Sequence, residues 1–347
     1  MENLNEIILD EVLTSGACAV GVATLETLAG GPPSVDLTYV LPEAKSAIVF
    51  AFALDQELIG PYLRKEDRRS HELDDIQKNL MASGAALFGE KFLNELGHPS
   101  VAICANTVYR QDIPGGSGAM MPDISLRYLA VASGVAHFGL SGNVITRNEG
   151  AGIILGAVVT TADLQPTSPL PEEDNYCDNC KLCMAACASS MMDPEGEERV
   201  TLGGKEYTYS KRRTYNRCDF VCGGFTGLHP SGTWSTWSPG RFLIPDSEEE
   251  FYPALATAVR ASENRPKIEG GYRHPLLPDR RIALTCGNCT LICVADKEER
   301  KRRYKAMRES GCVVQNPDGT LEAVPAEEAT ERLAAMDKER RLTYESF

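Results

Sequence analysis

Apolar positions recur along this chain with two different periods. Residues 3–14 place Leu4, Ile7, Ile8 and Val12 at helical spacing, and residues 72–96 repeat that period through Leu73, Ile76, Leu80, Ala85, Phe88, Phe92 and Leu96. Each stretch predicts a helix with one apolar face. Around them stand apolar runs bounded by polar turns: Ser46–Leu54 (SAIVFAFAL), Ser100–Ala105 (SVAICA) and Ala151–Thr160 (AGIILGAVVT). Such runs predict buried strands. Helices alternating with these strands give an α+β or α/β lobe over residues 1–165. Gln165–Asp174 (QPTSPLPEED) then supplies three prolines and a run of acids, the composition of a linker. Past it the periodicity fades while cysteine, glycine and proline rise, as where bound metal rather than a large apolar core organises the backbone. The expected segments are a lobe at 1–165, a metal-organised domain at 166–300 and a C-terminal helical arm at 301–347, of which Pro325–Phe347 reads as charged and helical.

The chain has 347 residues, 43% of them hydrophobic, enough for more than one average domain with a sizeable core. No stretch approaches the roughly 20 apolar residues of a membrane span. Met1–Gly16 lacks the basic start and apolar core of a secretory signal. The expectation is a soluble, cytoplasmic protein with no membrane partner. A net charge of −14 sets the whole-molecule field against phosphate backbones and weighs against a nucleic acid partner. The basic run Lys297–Lys305 (KEERKRRYK) reads as a solvated helix face before it reads as a binding patch.

Twelve cysteines change the picture. Cys177, Cys180, Cys183 and Cys187 stand in C-x2-C-x2-C-x3-C order, the run used by bacterial two-cluster ferredoxins, in which the fourth thiolate ligates the other cluster. Cys286, Cys289 and Cys293 form C-x2-C-x3-C, one ligand short. Either Cys218 or Cys222 closes the count at eight thiolates for two [4Fe–4S] clusters. C-x2-C pairs also bind zinc, the competing reading. Ala188 and Val294 follow the two groups where the ferredoxin run has proline. Cys18, Cys104 and Cys312 lie apart and read as small buried hydrophobes.

A ferredoxin run, a lone cysteine after an arginine (Arg217-Cys218) and then C-x2-C-x3-C together resemble the iron–sulfur domain of epoxyqueuosine reductases and reductive dehalogenases. Residues 41–54 (LPEAKSAIVFAFAL) resemble an early strand of those families. Residues 126–161 (LRYLAVASGVAHFGLSGNVITRNEGAGIILGAVVTT) resemble their cobalamin-pocket stretch, with Gly134, Gly139, Arg147, Gly150 and Gly156 in register. The resemblance covers roughly residues 40–300. It implies an α+β chain, a nitroreductase-like corrinoid-binding lobe followed by a two-[4Fe–4S] ferredoxin-like domain. It implies that Cys177, Cys180, Cys183 and Cys293 hold the inner cluster and Cys187, Cys218, Cys286 and Cys289 the outer one. It assigns Gly134, Gly139, Asn143, Thr146, Arg147 and Gly150 to cobalamin bound base-off, since no histidine stands in a D-x-H-x-x-G motif. Met120 stands where epoxyqueuosine reductases carry an acidic proton donor, with Asp112 and Asp123 out of register. A C-terminal helical repeat and a twin-arginine signal are both missing, which points to a distinct cytoplasmic subfamily.

Reduction at a corrinoid needs low-potential electrons, a dry pocket and a proton. The stretch 106–127 offers Tyr109, Arg110, Asp112, Asp123 and Arg127 around a glycine-rich loop at 115–118. Tyr109 is the preferred proton donor, as a phenol beside a guanidinium, with Arg110, Asp123 and Arg127 as supporting catalytic candidates. Trp234 and Trp237 read as packing anchors and His137 as a core histidine. Two functions compete. One is a cobalamin-dependent reductase that cleaves a carbon–heteroatom bond in a small-molecule substrate, fed by a low-potential donor such as ferredoxin or flavodoxin. The other is an electron-transfer protein that reduces the corrinoid of a partner enzyme. Epoxyqueuosine reduction in tRNA is a third.

Overall fold

The computed structural model describes residues 4–104, 108–116, 118–268 and 284–346. Ala105, Asn106, Ser117 and His274, which the sequence reading touches, lie outside the described residues.

The first half runs α1 (Leu4–Thr14), β1 (Ala19–Thr24), β2 (Ser46–Ala53), α2 (Gln56–Leu63), α3 (Arg69–Glu95), β3 (Ser100–Ile103), α4 (Leu126–Ala132), β4 (His137–Phe138), β5 (Val144–Ile145) and β6 (Ile153–Thr160). β1, β2, β6 and β3 form one antiparallel sheet in the order β1-β2-β6-β3. Strand side chains alternate between the two faces of a sheet, and here both faces are covered. Ala47, Val49 and Ala51 of β2 join Leu129 and Ala130 of α4 in one core. Ile48, Phe50 and Phe52 join Ile8 and Val12 of α1 and Ala82 and Ala86 of α3 in another. A strand buried on both sides needs no polar alternation, which is why β2 reads as an unbroken apolar run. Gly156 pairs with Phe50 in the register, and a Cβ there would come within 2.5 Å of the Phe50 ring.

The structure keeps only part of the expected α3 face, with Ala85 and Phe92 packed partly against the core. Leu73, Leu80, Phe88 and Leu96 are exposed, while Ala82, Ala86, Gly89 and Leu93 face the sheet. Close approach decides this: a Cβ on Gly89 would sit 3.0 Å from Val158. The small-residue face lets the helix lie nearer the strands than leucines would.

After the linker come α5 (Leu182–Ala185), β7 (Met192–Leu202), β8 (Lys205–Arg212), α6 (Asn216–Cys222), α7 (Glu248–Ser262), α8 (Asn288–Leu291), α9 (Lys297–Arg308), β9 (Cys312–Gln315), β10 (Leu321–Val324), α10 (Ala326–Ala334) and α11 (Lys338–Arg341). The β7–β8 hairpin is absent from the sequence reading. It packs on the first lobe, where Val200, Leu202 and Tyr209 enter the α4 core and the Tyr209 hydroxyl lies 2.8 Å from that of Tyr128. The third segment packs against the rest of the chain. Val313 of β9 packs with Tyr62, Trp234 and Trp237, and buried Tyr344 donates to Gln315 Oε1 at 2.9 Å. The basic run in α9 is not wholly solvated: Arg300 and Arg303 are buried, and Arg303 donates to the Leu291 carbonyl at 2.9 Å. Trp234 and Trp237 are packing anchors, Trp237 donating from its indole to the Tyr62 carbonyl at 3.0 Å. No helix among the described residues is long and apolar enough to cross a membrane.

Candidate metal centre

Two short loops shape the cysteine motifs. Asn179 and Lys181 adopt left-handed backbone (φ 55° and 58°) between Cys177 and Cys183, and Gly287 (φ 120°) does so between Cys286 and Cys289. Non-glycine residues pay strain for this conformation and keep it where surroundings impose it. Each loop runs straight into one turn of helix, α5 carrying Cys183 and α8 carrying Cys289. Leu182, Ala186, Leu291 and Ile292 pack these turns into the same core as Trp234 and Trp237. Tyr62 of α2 donates to the Cys286 carbonyl at 3.0 Å, tying the second motif to the first lobe.

The thiols gather in two sets. In the inner set burial pushes Cys183 up to about 12, with Cys293, Cys177 and Cys180 adding to it. Cys293 is pushed up to about 11 by burial, and again Cys177 and Cys180 act on it. In the outer set Cys289 is held well above the usual thiol range by burial and then by Cys187, Cys286 and Cys218, with Cys183 of the inner set acting least. Cys187 is raised by burial, with Cys218 and Cys286 contributing. Cys222 touches this set from one side, its sulfur 3.8 Å from that of Cys218, and its hydrogen bond to Cys286 draws that thiol down to about 7. The outer set therefore has five thiols near it and the inner set four.

These donors fit iron–sulfur clusters. Crowded, desolvated thiols resist ionisation alone, and bound iron is what makes them thiolates. The sulfurs also have the hydrogen bonds that tune such clusters. Leu140 N–H donates to Cys177 Sγ at 3.2 Å, Met191 N–H to Cys187 Sγ at 3.4 Å and Arg300 to Cys180 Sγ at 3.4 Å. Asn143 reaches Cys289 Sγ at 3.7 Å. Among the described residues no three Cys, His, Asp or Glu side chains form a site for a single metal ion.

A polar frame stands beside the outer set. Asn143 accepts from Arg212 at 2.7 Å, and Arg212 donates onward to the Tyr215 hydroxyl at 2.8 Å, which Arg127 reaches at 2.7 Å. Desolvation works to raise the Tyr215 pKa, but Arg127 and Arg212 outweigh it and hold the phenol below its ordinary value. Arg212, Arg213, Tyr215, Phe251 and Tyr252 line a cavity of about 510 Å³. On the inner side a groove of about 670 Å³ opens on Cys177, between Phe138, Leu140, Lys181, Met184 and Tyr209.

The sequence candidates divide against this geometry. Arg127 belongs to the polar frame. Tyr109 does not meet Arg110: that guanidinium is buried, holds Asp112 at 2.9 and 2.6 Å and stacks 3.8 Å over the Tyr39 ring. With no cation beside it among the described residues, Tyr109 is pushed up by burial and by Asp219 rather than acidified. The phenol between guanidiniums is Tyr215. Asp123 is raised by burial and spends one oxygen on the Ile124 N–H at 2.7 Å. The sequence reading does not reach Arg212 and Tyr215, although the run KRRTYNRC places both just ahead of Cys218. His137 is buried, and its Nε2 has no partner among the described residues.

The residues that the resemblance gives to cobalamin are engaged by the chain itself. A Cβ on Gly134 would meet the Ser168 carbonyl at 2.2 Å and one on Gly150 the Cys293 carbonyl at 2.1 Å. Gly139 donates its N–H to the Asn143 carbonyl at 2.8 Å. Asn143 bridges Arg212 and Cys289, and Thr146 bonds Glu149 at 2.6 Å. Arg147 is exposed and pairs with Asp174 at 3.2 Å. The hairpin covers Gly142, whose Cα faces the Tyr209 ring. As arranged, these residues do not fit a resident corrinoid.

No family model matches the chain. Over 63 residues it is 35% identical to an epoxyqueuosine reductase of Gloeobacter violaceus, covering 18% of this chain and 19% of that protein. Its structure aligns over 98% of its length with 37% of a catabolic reductive dehalogenase, at 11% identity and TM-score 0.52. An epoxyqueuosine reductase from Bacillus subtilis aligns over 98% of this chain and 88% of its own, at 15% identity and TM-score 0.43. The chain thus spans about a fifth of the curated relative and less than two fifths of the dehalogenase. Because an epoxyqueuosine reductase is among the similar proteins, the expectation against a nucleic acid partner loses its support. The chain shares the fold of the reductive dehalogenase and a stretch of sequence with an epoxyqueuosine reductase, the two families that its cysteine pattern resembles.

Proposed function

We propose that this chain is an iron–sulfur oxidoreductase that holds two [4Fe–4S] clusters and passes electrons to an acceptor it does not itself retain. The observation that carries this reading is the sorting of the thiols into two sets, each drawing on both cysteine motifs. Cys177, Cys180, Cys183 and Cys293 would hold the inner cluster, and Cys187, Cys218, Cys286 and Cys289 the outer one. Bound, the clusters supply one-electron transfer at low potential. The residues of the chain do the rest. Leu140, Met191, Asn143 and Arg300 fix the sulfurs by hydrogen bonds, and the packed turns α5 and α8 hold the two sets against each other. The groove at Cys177 gives an acceptor an approach to the inner set, while exposed Arg213, in the wall of the cavity beside the outer set, offers charge to an acidic low-potential donor such as a ferredoxin or flavodoxin. A small-molecule substrate or the corrinoid of a partner fits this scheme. A resident cobalamin is not carried forward, because the chain's own groups take its residues. An RNA-borne acceptor stays within the scheme.

Anaerobic reconstitution followed by iron, sulfide and corrinoid analysis tests it. About eight irons and eight sulfides per chain are expected, with no stoichiometric corrinoid in protein made in a cobalamin-replete host. Zinc, or about four irons, sinks the two-cluster reading. Bound corrinoid returns the cobalamin-dependent reductase to first place.

A further inference from the structure

The two sets of thiols have the same number of expected ligands but different electrostatic surroundings. The contrast matters only if both sets hold clusters, so the inference rests on the two-cluster reading. Arg127 and Arg212 keep some surface, yet desolvation is the first influence on both guanidiniums. A desolvated cation is costly unless an anion stands near it. Among the described residues neither meets a carboxylate. Arg127 donates to the Gly142 carbonyl and the Tyr215 hydroxyl, and Arg212 to the Ser141 carbonyl, Asn143 Oδ1 and the same hydroxyl. The two guanidiniums repel each other. Besides Tyr215, the groups that favour charge on Arg212 are the thiols Cys289 and Cys218. Arg217, on the next helix, faces Cys187 and has exposed Asp246 at 3.6 Å.

The inner set differs. Its guanidinium, Arg300, touches Cys180 but also holds Asp178 at 2.9 Å, and exposed Lys297 reaches the same carboxylate at 2.9 Å. There the buried cation shares one carboxylate with Lys297, a kind of partner that Arg127 and Arg212 lack among the described residues.

A cubane held by four thiolates is anionic, and each electron it accepts adds negative charge. Uncompensated positive charge nearby stabilises the reduced form, the more so where water is excluded. We propose that Arg127 and Arg212 are the counter-charge of the outer cluster and hold its midpoint potential above that of the inner cluster. Asn143 is the positioning residue, joining Arg212 to Cys289. The first electron then settles at the outer cluster and the second, at the inner cluster, is the more reducing. The Cys177 groove lies beside the latter.

The test is a potentiometric titration of the reconstituted full chain followed by electron paramagnetic resonance, with iron measured on each sample. Two one-electron transitions are expected. Arg212→Gln should lower the reduced-to-oxidised ratio of the higher-potential cluster about tenfold at fixed potential, a shift of about 59 mV for one electron, and leave the other in place. Arg212→Lys keeps the charge but not the forked geometry and should shift it less. Asp178→Asn should raise the lower-potential cluster instead, bringing the two together. If Arg212→Gln fails to load iron, Arg127→Gln removes one charge without touching Asn143 and should move the same transition the same way. Full iron with no movement of the higher transition overturns the counter-charge while the two-cluster reading stands. Fewer than two clusters in the unaltered protein overturns both.

Discussion

Cys218 and Cys222 lie one helical turn apart on α6, yet they meet different neighbours. Cys218 acts on both Cys187 and Cys289, across the outer set. Among the thiols of the described residues, Cys222 meets Cys218 and Cys286. Cys218→Ser should therefore cost about four irons or move one cluster's potential strongly, whereas Cys222→Ser should load fully. Iron analysis of the two variants decides, and the reverse outcome makes Cys222 the ligand. The spacing of the other seven thiols is legible in the sequence because short gaps fix which thiols can converge. The choice between Cys218 and Cys222 is not, because it depends on how α6 approaches the other motifs. The same holds for Tyr215: its two guanidiniums come from α4 and β8, far apart in the chain. Gly150 offers a second residue-scale test. Its φ of 68°, and a Cys293 carbonyl that would stand 2.1 Å from any Cβ at this position, leave no room for a side chain. Gly150→Ala should add roughly 1–3 kcal/mol of backbone strain and displace Cys293, lowering Tm and the inner cluster's occupancy. Gly97→Ala has a similar φ of 86° with open space around it, and it should leave both clusters loaded.

Among the elements, the strands are the most readable. β2, β3 and β6 fall where the apolar runs stand, since burial on both faces leaves no polar break to misplace. α3 shows how a period can be right and its face only partly so. Helical spacing admits two apolar stripes, and the sheet takes the one built of alanine and glycine. Leu80→Lys should accordingly change stability by no more than about 0.5 kcal/mol, while Ala86→Lys, at 0% exposure, should unfold the lobe or cost several-fold more. Urea denaturation of the pair checks this, and a large loss from Leu80→Lys would mean that the stripe is covered in solution. The β7–β8 hairpin escapes notice because most of its positions are polar and few are buried. Only Val200, Leu202, Tyr209 and their neighbours mark its inner side, too few to stand out among charged residues.

Across the whole molecule, the two cysteine motifs are interlaced rather than consecutive. The inner set pairs three cysteines of the first motif with the last cysteine of the second, and the outer set pairs the last of the first with two of the second. This has a bearing on biosynthesis. A ribosome that has released residues 1–250 has presented five of the eight expected ligands, and neither set is complete. Either set would be complete only once the stretch around Cys286 to Cys293 has been made. A chain broken off before that stretch would lack one expected ligand of the inner set and two of the outer.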